Sequence, residues 1–201
     1  MLESRIQHST PSALNMMTVT PTRRVTPELK ALANLFYLSL DELGGFDEVA
    51  PEELPEAARQ LLWHDEHMTV TVEAYHGCAV DVRVLNTHVT PTHYSRRILL
   101  SRQTDGVVVQ FGIVRLNTGF LGSDLRHEIE SQDTPLGRIL IKHNILRQVR
   151  PLSLWRVAPG PDLRELYGLS DQVPCFGRTA LIYCNGLPAV ELLEIVTPSD
   201  Q

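Results

Sequence analysis

Arg96 and Arg97 stand side by side ahead of the apolar run Ile98-Leu99-Leu100, inside a stretch that reads as a strand. Neighbours on a strand point to opposite faces, so one arginine is expected to meet solvent and the other to point toward the core side. A guanidinium taken out of water alone is costly, so the inward one needs an anionic partner, from the protein or from a ligand. Glu191 and Glu194 pose the same problem within residues 189–196. They are three apart, and a regular strand sends them to opposite faces. A buried arginine and a buried glutamate on two strands of one sheet have two readings. One is a structural ion pair. The other is a closed polar pocket in which arginine holds the carboxylate of a small ligand. The pattern of residues leaves both open.

Other reactive side chains are less well placed. Eight histidines are present, and His64 and His67 are spaced to share one helix face. Zinc needs three or four ligands, and only His76 and Cys78 lie near them in sequence, so hydrogen-bonded histidines and no metal are expected. Cys175 and Cys184 bracket an apolar run without a local nucleophile signature. A glycine-rich phosphate loop and a G-x-S-x-G elbow are both missing. The 201 residues are 43% hydrophobic and 21% charged, which excludes a collagen-like, fibrous or disordered chain. Eighteen Lys+Arg against 24 Asp+Glu leave a net charge of −6, so no nucleic-acid partner is expected. No apolar run reaches the roughly 18 residues of a membrane span. The opening stretch has no apolar core for a signal peptide. Three cysteines, an odd number, read as reduced thiols in a cytoplasmic protein.

The elements that must position Arg96 and Glu194 follow from periodicity. Residues 1 to about 25 are expected to form a flexible or peripheral tail, and 26–201 a single domain. Thr26-Pro27-Glu28 signals a helix start, with Leu29, Leu32, Ala33, Phe36 and Leu40 as its apolar face and Gly44-Gly45 as its end. Residues 56–63 form a short helical piece. Asp65 can cap a further helix along Met68, Val72 and Tyr75, stopped by Gly77, although Val70-Thr71-Val72 also suits a strand. Strands follow over 79–85, 94–102 and 107–116, the last two joined by the turn Gln103-Thr104-Asp105-Gly106. Helices are expected around 123–131, capped by Ser123 or Asp124, and from Thr134-Pro135 through 141. A strand over 147–157 is interrupted at Pro151, and a helix over 161–167 ends at Gly168. Strands over 176–184 and 189–197 meet at Asn185-Gly186. Hairpins separated by helices predict an α+β fold, an antiparallel sheet with helices packed on it.

From about Leu61 to Pro198 the sequence resembles the chorismate pyruvate-lyases (4-hydroxybenzoate synthases), their divergent branch more than the enterobacterial enzyme. Met68-Thr69 is similar to the family's Met-Thr at a helix start, and Arg96-Arg97-Ile98-Leu99-Leu100 to its Arg-x-Ile-Leu-Leu strand. Thr134-Pro135-Leu136-Gly137-Arg138 matches its Thr-Pro-Leu-Gly-Arg, and Gly186-Leu187-Pro188 followed by Glu194 its closing turn and glutamate. Counting from the aliphatic residues selects Arg96 over Arg97. Counting from Pro188 selects Glu194 over Glu191. Ile113 stands where the enterobacterial form carries an arginine, so nothing is transferred there. Arg178, beside Gly177, is a further point of likeness with no role attached.

The resemblance implies a chorismate lyase-like fold and a cofactor-independent loss of pyruvate from chorismate, giving 4-hydroxybenzoate. The new aromatic ring makes the reaction downhill, so the protein's task is positioning and charge stabilisation. Arg96 would grip the ring carboxylate, backbone amides at Met68 and Leu136 would assist it, and Glu194 would act at the enolpyruvyl ether oxygen. The resemblance also implies an alternative, a small aromatic-acid binding or effector-sensing domain without turnover. Regulators of that kind carry a winged-helix domain, and no basic recognition helix stands among the roughly 60 residues ahead of the match. In a kinetic comparison with chorismate, Arg96→Ala is expected to abolish turnover and Arg97→Ala to leave it largely intact. Equal behaviour of the two variants would overturn the choice of Arg96.

Overall fold

The computed structural model describes residues 29–143, 145, 147–169, 173–184 and 186–197. The expected tail, the helix start at Thr26-Pro27 and the turn residue Asn185 lie outside the described residues. In chain order the elements are α1 (Leu29–Ala33), α2 (Leu40–Leu43), β1 (Gly44–Val49), α3 (Glu56–Leu62), α4 (Met68–His76), β2 (Val80–Val89), β3 (His93–Arg102) and β4 (Val108–Asn117). They continue with α5 (Ser123–Glu130), α6 (Leu136–Lys142), β5 (Arg147–Pro159), α7 (Pro161–Tyr167), β6 (Cys175–Cys184) and β7 (Leu187–Val196). Short 3-10 turns occupy Pro51–Glu53 and Thr118–Phe120.

All seven strands join one antiparallel sheet in the order β1-β5-β6-β7-β4-β3-β2. The expected α+β class, an antiparallel sheet with helices on it, is the fold observed. Helices cover both faces. Leu61 and Leu62 of α3 and Met68 and Val72 of α4 pack with Ile98 and Leu100 of β3 on the first face. Leu136, Ile139 and Leu140 of α6 and Ile129 of α5 extend that layer over Val114, Ile182 and Leu192. On the second face, Leu32 of α1, Leu43 of α2 and Leu163 of α7 meet Leu99, Phe111, Leu193 and Ile195. A sheet covered on both sides has no polar face, which is why Ile98-Leu99-Leu100 runs apolar without alternation.

The first helix departs from expectation. It ends at Ala33, and a new helix opens at Ser39, whose hydroxyl accepts from the Asp41 amide at 3.2 Å. Glu42 accepts in return from the Leu38 and Ser39 amides, closing a capping box that starts a second helix instead of continuing the first. Gly44-Gly45 then opens β1 beside β5. Gly44 has φ +154, and a Cβ there would lie 2.4 Å from the Ala158 carbonyl oxygen, so Gly44 marks a strand entry requiring glycine. The expected interruption at Pro151 is a bulge, with the β5–β6 register slipping between Pro151 and Ser153. Gly122, not Ser123 or Asp124, stands at the N-cap of α5.

Close strand approach at Gly177 gives a stability prediction. A Cβ there would lie 2.7 Å from the Glu194 carbonyl oxygen, whereas one at Gly45 would meet nothing closer than 3.8 Å. In urea denaturation, Gly177→Ala is expected to lose about 1–3 kcal/mol, and Gly45→Ala to stay within about 0.5 kcal/mol of the parent.

Candidate functional site

The site lies on the first face, where β6, β7, β4 and β3 run side by side. Register places Arg178, Glu194, Gly112 and Ile98 in one row across these strands. The next row carries Ala180, Leu192, Val114 and Arg96. Gly112 adds no side chain between Glu194 and Ile98, and the Ile98 side chain leans over it, 3.2 Å from where a Cβ would stand. Over these rows sit the first turns of α4 and α6, and together they enclose a cavity of about 460 Å³ including its mouth.

Arg96, Glu194, Met68 and Leu136 all line this one cavity. Their partners separate the two readings of buried charge. Arg178 and Glu194 form the ion pair: Arg178 Nε donates to Glu194 Oε2 at 2.7 Å, and the arginine is fully buried. Arg178 Nη1 also donates to the carbonyls of Leu62 and His64 at 3.1 and 3.0 Å, tying the loop between α3 and α4 to the sheet. Arg96 is also fully buried, yet Nε, Nη1 and Nη2 all lack a hydrogen-bond partner among the described residues. Burial pulls its pKa down from the ordinary arginine value, and the nearby Tyr94 hydroxyl offsets only part of that. Two buried guanidinium groups therefore share this cavity with one buried carboxylate, Glu194, while Glu66, which also lines it, is exposed. Such an arrangement is built to receive an anion.

The neighbours not selected by the resemblance lie on the other face. Arg97 donates from Nη1 to Asp162 Oδ2 at 3.0 Å and to the Tyr37 hydroxyl at 2.8 Å. One of the two arginines was expected to meet solvent, but the side chain of Arg97 is only 16% exposed, because α1, α2 and α7 cover that face too. Glu191 pairs with Arg115.

The capping expectations are corrected as well. His67, not Asp65, is the N-cap of α4, and Pro135, not Thr134, is that of α6; neither helix start has a side-chain cap. Both helix starts line the cavity through Met68, Thr69, Leu136 and Gly137. First-turn amides without a cap are donors looking for an acceptor, and the helix dipole favours an anion there.

Two lining residues carry no role in the sequence reading, Arg178 and Gln110. Each is a buried polar residue on a largely apolar strand, a weaker form of the signal that singled out Arg96 and Glu194. His64 serves the framework: its Nε2 lies 2.6 Å from the Leu61 carbonyl, and its Nδ1 accepts from the Glu66 amide at 3.2 Å. Among the described residues no group of three or more side chains could hold a metal ion. No described helix is long and apolar enough to cross a membrane.

No family model and no curated protein matches the sequence. Among solved structures, PhnF from Mycobacterium smegmatis is similar at a TM-score of 0.53 and 14% identity, over 66% of this chain and 64% of that one. The effector domain of the same PhnF aligns at a TM-score of 0.49 and 14% identity, covering 66% and 89% of the two chains. The ligand-binding domain of a putative GntR-family transcriptional regulator from Bordetella bronchiseptica aligns at 0.49 and 15% identity, covering 60% and 86%. This chain thus spans slightly under two thirds of PhnF. The likeness to PhnF is one of fold, consistent with the expected chorismate lyase-like architecture.

The environment of His64 sets a pH dependence. Burial, and then the charge of Arg178, hold its pKa below the ordinary 6.5. The folded state therefore binds its proton less readily than the unfolded state, and the stability this represents is complete above pH 6.5 and lost as pH falls toward the folded value. Denaturation midpoints between about pH 7.5 and 5.5 are expected to fall on acidification, with a shallower slope in His64→Gln.

Proposed function

We propose that this chain is a ligand-binding, effector-sensing domain whose cavity takes a small aromatic carboxylate. The observation that carries the reading is the fully buried Arg96 guanidinium, without a hydrogen-bond partner among the described residues and lining a cavity. A carboxylate accepting two parallel bonds from this fork supplies the missing counter-charge and restores the lost hydrogen bonds together. First-turn amides of Met68 and Leu136 add neutral donors to the same anion. Ile98, Leu100, Val149, Ile182 and Leu192 provide apolar walls for the ring. The fold likeness to PhnF, a domain of which is described as its effector domain, supports sensing over chemistry.

Glu194 favours a second reading, chorismate pyruvate-lyase. A carboxylate lining the cavity that Arg96 lines could polarise the enolpyruvyl ether oxygen while Arg96 holds the ring carboxylate. Arg178 would keep Glu194 in position.

Calorimetric titration with 4-hydroxybenzoate, run beside a chorismate incubation assayed for pyruvate, tests both. Saturable 4-hydroxybenzoate binding without pyruvate release is expected, weakened roughly 30-fold or more in Arg96→Ala. Equimolar pyruvate and 4-hydroxybenzoate, lost in the same variant, would establish the lyase. Neither binding nor turnover would overturn both readings.

A further inference from the structure

Besides the guanidinium of Arg96 and Nη2 of Arg178, the cavity wall holds a neutral buried polar group without a partner, two pleat repeats from Arg96. Gln110 of β4 is 2% exposed and lines the cavity, and its Oε1 has no hydrogen-bond partner among the described residues. A buried amide oxygen without a hydrogen bond is costly, and at the wall of a cavity it is open to a donor that enters there. Register fixes its place relative to the anion site. Gln110 lies opposite Leu100 of β3 and Val196 of β7, whereas Arg96 lies opposite Val114. Arg96 and Gln110 thus stand two pleat repeats apart, about 13 Å along the strands between their backbones. The row of Glu194, Gly112 and Ile98 falls between them. Both side chains reach into the cavity and shorten that span.

On the reading of the cavity as a carboxylate site, we infer that Gln110 is its specificity-determining residue, accepting a hydrogen bond from a hydroxyl at the end of the ligand remote from the carboxylate. The ligand class narrows accordingly to aromatic acids with a distal hydroxyl. Arg96 supplies charge, which any carboxylate satisfies. Gln110 is neutral and rewards only a ligand with a donor at the right distance. A ligand ending in bare ring leaves the Gln110 oxygen unpaired, and such mismatches of buried hydrogen-bonding groups discriminate strongly.

The test is a ligand-by-variant cycle on the full chain, titrating benzoate and 4-hydroxybenzoate calorimetrically into the parent, Gln110→Met, Gln110→Glu and Glu194→Gln. The parent is expected to prefer 4-hydroxybenzoate by roughly tenfold. In Gln110→Met that ratio falls to near one, whereas Gln110→Glu, which keeps an acceptor, retains a preference. Each ratio is internal to one variant, so a general loss of affinity cancels. Retention of the parental ratio in Gln110→Met, or its collapse in Glu194→Gln alone, overturns the role of Gln110 and leaves the carboxylate site standing. Absence of binding by both acids to the parent overturns the carboxylate site and this inference together.

Discussion

Two buried guanidinium groups face one buried carboxylate, and this inequality organises the structure around the cavity. Arg178 and Glu194 balance each other across a single rung of the sheet, and the arginine's remaining bonds go to carbonyls of the loop between α3 and α4. That pair is therefore both neutral and structural. Arg96, one row further along, has no such balance. A buried cation without a counter-charge costs several kcal/mol in a folded protein. Such a cost persists only where the surrounding structure over-determines the geometry. Here two helices, two flanking strands and the Arg178 network all do so.

The two arginines adjacent in sequence show how a sheet separates roles. Arg97 differs from Arg96 by one step of the pleat, which sends it to the opposite face. There it meets Asp162 of α7 and the Tyr37 hydroxyl, and lies over the Tyr37 ring at 5.2 Å from its centre. Its partners hold α7 and the segment after α1 against the second face. The glutamates divide in the same way, Glu191 to Arg115 and Glu194 to the cavity. Each strand thus spends one face on anchoring helices and the other on the site.

Helix starts bring the remaining donors. Neither α4 nor α6 begins with a side-chain cap, so the amides of their first turns keep their bonding capacity at the cavity wall. A capping aspartate at position 65 would have occupied such an amide with a neighbouring carboxylate, adding negative charge beside the anion site. The chain places His67 and Pro135 at these caps instead.

The sequence by itself determined strands β2 to β7, the turn at Asp105-Gly106 and the α+β class, because period-two alternation, Asp-Gly, and proline-led helix starts are local signals set by a few neighbouring residues; β1 carried none of them. It also marked the inward charges, since an arginine or glutamate within an apolar strand is costly wherever that strand sits. Gln110 and Arg178 carried the same mark less visibly, and the sequence reading attached no role to either. Local signals conflicted at residues 34–45: apolar spacing runs on past Ala33, while the Ser39–Glu42 capping box starts a second helix, and the strand partner of Gly44 acts only once β5 is alongside. Pairing was beyond the sequence for the same reason. Which arginine takes Glu194 depends on strand order, and β6, not β3, is the neighbour of β7. Only the assembled sheet decided that Arg178 would neutralise Glu194 and that Arg96 would be left facing the cavity with its charge unspent.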